Sequence, residues 1–478
     1  MAFILMLWQN NTSAYILKRD TRTVNSEDAG LIPIDEVVKR GWMVLANGVF
    51  QMDGYVTKGG IAVILSRVVG LDKKLKNPAK PTFTDVPKTH PYYRYIETMK
   101  DCLPYEETEK GLMLYPDKPI TVQEAVYATI KATRFHPELW NIKRNKATLH
   151  TLEVVTNSQR NDFDLISDKY FPFMYIGIIY HLLDTISWGT REKQPDGTVK
   201  YVYTYRCNPH FYIERAALAN MLYIITLPEV KSIDDVYELS IQSMKNAQNT
   251  FAFNYNQTVL SDITVIKYIE TVFFYHSPML GYYFEEAIPV TWKGPYMVKR
   301  TTDLTQNEIK KIYTTAQEII IKIIKPGMND VEKLKAIHDY LLKNVKVENY
   351  NSDSRVLNAY GPLVLGKSDP RGFAWAFQIL AQMAGIPTIT VRGGLGYMDW
   401  YWNKVYINGE IKNIDVAVDK NIFDGIPEFY QEGEQYKFFL VSDDMLEAND
   451  HTWDKKSLSE NEKYLFRHMM FCQPVELK

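Results

Sequence analysis

Apolar positions along this chain recur at two different periods, and the change between them divides it. Up to about residue 231 the three-and-four spacing of helices dominates. From Asp85 the chain reads as a helical stretch, a loop closed by a proline, and a second helix opening at Thr121. Thr121 is an N-cap, Glu124 completes a capping box, and Ala125, Ala128 and Ala132 share one face. The same order of parts occurs from Asp35, as DEVVKRGWMVLANGVFQMDGYVTKGGIAVILSRVVGLD. It occurs again from Phe171, as FPFMYIGIIYHLLDTI, a polar insertion, and CNPHFYIERAALANMLYIITL from Cys207. The insertion, REKQPDGTVKYVYTYR, sets Asp196-Gly197 between two alternating runs and predicts a β-hairpin. Residues 136–170 read as a polar linker with one apolar patch and some added structure.

From Ser232 the pattern changes. SIDDVYELSIQSMKNAQ is a capped amphipathic helix, TFAFNYN alternates as a strand, and YYFEEAIPVTWKGPYMVKRTT gives further strands broken by Pro and Gly. LTQNEIKKIYTTAQEIIIKII is a long amphipathic helix that stops at Lys325-Pro326-Gly327. Pro370 suits a helix start, where its missing N–H loses no partner. Near Trp400 the alternation of a strand puts Trp400 and Trp402 on one face and Tyr401 on the other.

Composition narrows the class. A chain of 478 residues is long enough for two or more domains, and 46% hydrophobic with 23% charged residues is globular. With 55 basic and 57 acidic residues the net charge is −2, and no basic stripe marks a nucleic-acid binder. Cys102, Cys207 and Cys472 are scattered with no CxxC pair, so neither a metal site nor a disulfide framework is expected, nor is a cofactor. The N-terminal MAFILMLWQNNTSAYILKRD has an apolar run without preceding basic residues and is not read as a signal peptide. No stretch approaches the ~20 apolar residues of a membrane helix.

The three helical repeats resemble the S-layer homology (SLH) module of bacterial surface proteins, whose second helix opens with a run like ITRAE. The resemblance implies an all-α pseudo-threefold prism whose grooves bind acidic, pyruvylated cell-wall polysaccharide. The modules would be 1–72, 73–140 and, with the linker and hairpin, 141–231. At the arginine of ITRAE this chain is read as having Lys58 (VTKGG), Gln123 (ITVQE) and Arg215 (IERAA). A guanidinium grips a carboxylate bidentately, an ammonium only as a point charge, and an amide brings no charge. Lys58 and Arg215 are therefore the candidate wall-binding residues. Retained wall binding and a purely structural prism both stand as readings.

Residues 232–478 resemble an α+β transglutaminase-like, papain-type domain. GKSDPRGFAWAF from Gly366 is similar to the family's GKxxCxGYAxAF, WYWN from Trp400 to its HAWN, and IDVAVD from Ile414 to its DVTWD. IHDYL, with His338, and EQYKFFLVSDDMLEANDHTWD add to the likeness, and His338 is expected to pack and hydrogen-bond. On this register Pro370 stands at the catalytic cysteine, Trp400 at the histidine, and only Asp415 of the triad is kept. A papain-type mechanism needs a thiolate, an imidazole and a carboxylate. This stretch has no cysteine between Cys207 and Cys472 and no histidine between His338 and His451. Ser368 and Asp369, just before Pro370, would still lack a base.

The domain is therefore expected to be a pseudoenzyme with an aromatic cleft. Phe373, Trp375, Tyr397, Trp400, Tyr401 and Trp402, with Arg371, are the candidates to bind a peptide or glycan, unless the rings only fill space left by the lost catalytic pair. Together the resemblances imply an extracellular, cell-wall-associated protein of a Gram-positive bacterium. The alternatives are a cysteine-independent hydrolase or transferase, and a purely structural surface protein.

Overall fold

The computed structural model describes residues 32–455 except 184, 247, 263, 270–276, 290–295, 349–352 and 425–433. The apolar N-terminal run and Cys472 lie outside the described residues. The chain divides into two units. The first runs to Lys231 and takes back Ala252–Asp262 and Ile288–Met297; the second holds Ser232–Phe251, Ile263–Ala287 and the chain from Val298. Among the described residues no helix is long and apolar enough to cross a membrane.

In the first unit, helices α1 (Ile32–Lys39) and α2 (Lys58–Val68) form one pair, and α3 (Tyr93–Met99) and α4 (Val122–Thr133) a second. After α5 (Lys146–Thr156) comes the third pair, α6 (Phe171–Ile179) and α7 (Arg215–Ile225). The first helix of each pair packs on the second helix of the pair before it: α3 on α2, α6 on α4, and α1 on α7, which closes the ring. Side chains such as Ile34, Leu65, Ile96, Ile130, Ile176 and Leu222 fill one shared core.

A three-membered cycle of backbone hydrogen bonds marks the axis of this ring. Val56 N donates to Ile213 O (3.2 Å), Ile213 N to Ile120 O (3.0 Å), and Ile120 N to Val56 O (2.8 Å). All three side chains are buried, so these amides need one another in place of water. Each lies just past a left-handed turn residue, at Gln51 (φ 55°), Tyr115 (φ 58°) and Asn208 (φ 46°). In two modules an aspartate holds that turn. Asp85 accepts from Leu114 N and Tyr115 N, and Asp162 from Cys207 N and Asn208 N.

The expectation of an all-α first half needs correction, because this unit also carries two hairpins. Strands β1 (Glu106–Thr108) and β2 (Gly111–Met113) form a short one, and β3 (Ile186–Lys193) and β4 (Val199–Arg206) the longer one anticipated at Asp196-Gly197. The supposed linker contains α5, which Asn145 caps by accepting from Thr148 N.

The second unit is mixed. Helices α8 (Ile233–Lys245), α9 (Gln306–Ile323) and α10 (Asp330–Asn344) each open on a capping box, at Ser232/Asp235, Thr305/Glu308 and Asn329/Glu332. Helix α11 (Pro370–Met383) is the centre of the unit, with every residue from Gly372 to Met383 buried. On one side it meets a five-stranded antiparallel sheet, and on others α9, α10 and α12 (Val416–Asp424). The sheet runs β8 (Phe439–Val441), β7 (Glu410–Ile414), β6 (Met398–Ile407), β5 (Thr388–Leu395), β9 (His451–Thr452). A helix buried all round must satisfy its polar groups internally. Gln378 accepts from Thr390 Oγ1 (2.8 Å), Gln382 donates to Thr388 O (2.9 Å), and Asn403 donates to Ala374 O (2.8 Å).

Candidate functional site

The site is built where the start of α11 and strands β5 and β6 are expected to carry catalytic groups. Asp369 is the N-cap of α11, accepting from Gly372 N at 3.0 Å, and Pro370 follows as the first helical residue. The Asp369 carboxylate also holds Arg371 Nε at 2.9 Å. Gly372 is required by close approach, since a Cβ there would meet Ser368 Oγ and stand 2.5 Å from Val356 O. Ser368 is fully buried and its hydroxyl donates to Asp369 O, so it presents no nucleophile.

Asp415 lies between β7 and α12 with no exposure, and both of its carboxylate oxygens are engaged. Oδ2 accepts from Trp400 Nε1 (2.7 Å) and lies 3.0 Å from His451 Nε2, while Oδ1 accepts from Val418 N (3.0 Å) at the start of α12. The register that aligned Trp400 with Asp415 is thus met by a direct hydrogen bond. His451 was not singled out by sequence reasoning. It arrives on β9, which pairs with the far end of β5 (Leu395↔His451), and its Nδ1 lies 3.0 Å from Asn449 O. Each ring nitrogen faces an oxygen acceptor, leaving no lone pair turned toward an incoming nucleophile. Gly393 makes room for this arrangement, because a Cβ there would meet Thr452 O and stand 2.6 Å from the Trp402 ring.

Asp415 is thus bonded to a ring on the neighbouring strand β6 of the sheet that packs on α11. Residues 317–416 match the model of the transglutaminase-like superfamily. This stretch is a transglutaminase-like domain. Among solved structures, the chain aligns with a proposed cysteine protease from Cytophaga hutchinsonii at 15% identity and TM-score 0.20, covering 28% of this chain and 62% of that one. It also aligns with a TGase at 9% identity and TM-score 0.22, covering 57% of this chain and 76% of that one. The alignment thus spans less than two thirds of the first of these chains. No curated protein matches.

Around the transglutaminase-like domain's triad positions, the aromatic residues expected to line a cleft are packed as interior. Trp402 is 0% exposed, Trp400 5%, Phe373 1%, and Trp375 and Tyr401 9% each. Trp402 donates to Asn413 Oδ1 and packs edge-on against His451 and Trp453. Trp375 packs edge-on against Tyr401, above which Arg371 sits at 5.8 Å. Tyr397 alone of these rings is exposed, and it stands beside Gly396 between β5 and β6, away from the others. Alternation along β6 was read correctly for facing direction, but both faces of this strand are covered.

A second His–Asp pair lies in the same unit. His338 Nε2 is 2.9 Å from Asp419 Oδ2, both side chains fully buried, and Asp339 Oδ1 is 3.7 Å from His338 Nδ1. Burial opposes the imidazolium, but the hydrogen bond to Asp419 and the negative charges of Asp419 and nearby Asp339 outweigh it and raise the pKa of His338. Burial pushes the Asp419 carboxyl up to about 6, against the pull of His338. Asp339 shifts the other way: its burial is outweighed by the nearby His338 ring and by hydrogen bonds from Tyr436 and Lys335. His338 packs against Tyr436 and Phe439 and acts as a buried tie between α10 and α12.

In the first unit, of the positions expected to bind wall polysaccharide Lys58 is buried and Arg215 half-buried, and both are engaged within the unit. Lys58 is 5% exposed and its Nζ is 2.6 Å from Glu124 Oε1. Arg215 Nε donates to Phe50 O (2.9 Å) and Nη2 to Val44 O (2.7 Å), with its guanidinium over the Phe50 ring; burial lowers its pKa. Lys58 and Arg215 are the first residues of α2 and α7, and the matching first residue of α4 is Val122. Gln123 is therefore one position out of register, and its buried amide bonds instead to Ser167 and His210. Among the described residues no cluster of His, Cys, Asp and Glu is placed to hold a metal ion.

Proposed function

We propose that this chain is a wall-associated surface protein of a Gram-positive bacterium, whose first unit attaches to acidic wall polysaccharide and whose transglutaminase-like domain is non-catalytic. What supports the non-catalytic reading is that Asp415 Oδ2 is shared by Trp400 Nε1 (2.7 Å) and His451 Nε2 (3.0 Å) while the other ring nitrogen of His451 faces Asn449 O, so neither nitrogen of that imidazole is turned to a nucleophile. Pro370 at the head of α11 offers no thiol to activate.

The domain then serves as a scaffold, and any peptide or glycan it holds meets its rim at Tyr397 and Arg371 rather than its buried rings. What supports the attachment reading is the closed ring of three helix pairs about the Val56–Ile120–Ile213 cycle, the arrangement that three SLH-like modules require. Co-sedimentation of the full chain with purified, protein-free wall polysaccharide tests the reading. Retention that persists in physiological salt is the expected result, and a chain that stays in the supernatant contradicts it.

A further inference from the structure

The charges expected to grip an acidic sugar are already engaged: Lys58 is buried and held by Glu124, half-buried Arg215 is held by backbone carbonyls, and Val122 has no charge. The β3–β4 hairpin of the first unit has what those positions lack. Its register sets Gly189 opposite Tyr203, Arg191 opposite Tyr201 and Lys193 opposite Val199, so these six residues share one face. That face is open, with Tyr201 48%, Tyr203 39% and Val199 60% exposed, whereas Val202 and Thr204 on the other face are 7% and 3% exposed. The ring of Tyr203 lies across bare Gly189, where a Cβ would come within 3.1 Å of it. Arg191 Nε donates to Tyr201 Oη at 2.6 Å and its guanidinium sits 5.2 Å from that ring's centre, which fixes both groups.

Among the described residues no carboxylate pairs with Arg191 or Lys193, although the adjacent Glu192 is held by Arg160. We infer that this face of the β3–β4 hairpin is a binding platform for an extended, carboxylated glycan. Tyr201 and Tyr203 are two residues apart on one strand, about 7 Å, which suits successive rings of a polymer better than a single sugar. Their faces receive the C–H faces of pyranose rings, and Arg191 and Lys193 receive the carboxylates, the guanidinium through paired hydrogen bonds. A single-stranded nucleic acid also stacks on aromatic rings, but its binding draws on many phosphate contacts, and this face offers two cations on a chain of net charge −2. The inference rests on the wall-attachment reading and locates it on the inserted hairpin.

Calorimetric titration of the full chain with a decamer of galacturonate, with maltoheptaose as neutral control and dT12 as competing polymer, tests it. Arg191→Gln and Tyr201→Ala are surface changes, and unaltered circular dichroism and melting confirm that each variant is folded. Galacturonate binding weaker by about tenfold or more in each variant, unchanged in Lys110→Gln and absent for maltoheptaose, is expected. No galacturonate binding by the wild type, equal binding by the folded variants, or tighter binding of dT12 overturns it. Co-sedimentation of both variants with wall polysaccharide separates the two claims. Retention equal to wild type overturns the hairpin site and leaves the attachment reading standing, while loss of retention only in the variants supports both.

Discussion

Replacing Asp415 by alanine strands two donors at once, Trp400 Nε1 and Val418 N, and removes the oxygen that lies 3.0 Å from His451 Nε2. A donor left unsatisfied in the interior costs about 1–3 kcal/mol, so the expected loss for two is about 4 kcal/mol, a large part of the roughly 5–15 kcal/mol that holds a typical domain folded. Asp415→Asn keeps one acceptor oxygen and should cost about half as much. In a double-mutant cycle, Trp400→Phe removes one stranded donor, so coupling of about 1–2 kcal/mol between positions 400 and 415 is expected. Urea unfolding followed by circular dichroism measures each term, read on the transition that the substitutions displace because the chain has two units. A loss below about 1 kcal/mol for Asp415→Ala would refute the reasoning, because it would mean that water already reaches this carboxylate.

Three further outcomes are expected. The folded chain holds extra protons on both His338 and Asp419. Their contribution is therefore complete below about pH 4, Asp419's part is lost toward pH 6, and His338's as pH rises through its raised value above about 6.5. The urea midpoint should fall from pH 5 to pH 8 and flatten in His338→Gln/Asp419→Asn; a rising midpoint contradicts this. Lys58→Met leaves Glu124 without its partner and should cost about 3 kcal/mol, with most of it recovered in Lys58→Met/Glu124→Gln, as measured by melting. Burial pushes the Cys102 thiol up to about 12 and raises Cys207 as well, so two of the three thiols should react with a disulfide reagent at pH 8 only in denaturant.

Local chemistry was legible in the sequence wherever one turn of chain decides it. The capping box at Thr121 and Glu124, the helix starts at Ser232 and Pro370, and the hairpin around Asp196-Gly197 all depend on neighbours a few residues away. The motif put Trp400 and Asp415 on separate segments without deciding whether they meet, and the pairing of β6 with β7 brings them into a hydrogen bond.

What required the fold were contacts between distant segments. His451 reaches Asp415 across 36 residues because β9 pairs with β5, and Lys58 meets Glu124 across 66 because the ring closes. Alternation correctly separated Trp400 and Trp402 from Tyr401, but it carries no information on whether solvent reaches either face. An open aromatic cleft and rings that fill space were therefore both open readings, and Phe373, Trp375, Trp400, Tyr401 and Trp402 are buried. The one-residue offset at Gln123 arose because the motif was matched by residue type and not counted from the N-cap Thr121, which makes Val122 the counterpart of Lys58 and Arg215.

The most direct measurement is turnover by the purified full chain. A fluorescent primary amine and a glutamine-bearing peptide would report transfer, and the same peptide with a quenched amide would report hydrolysis. With Pro370 at the helix start and Asp415 bonded to Trp400 and His451, product should not exceed the blank, and Asp415→Asn should change nothing. Turnover by the wild type that disappears in folded Asp415→Asn would contradict the non-catalytic reading and show that this carboxylate still orients a working base.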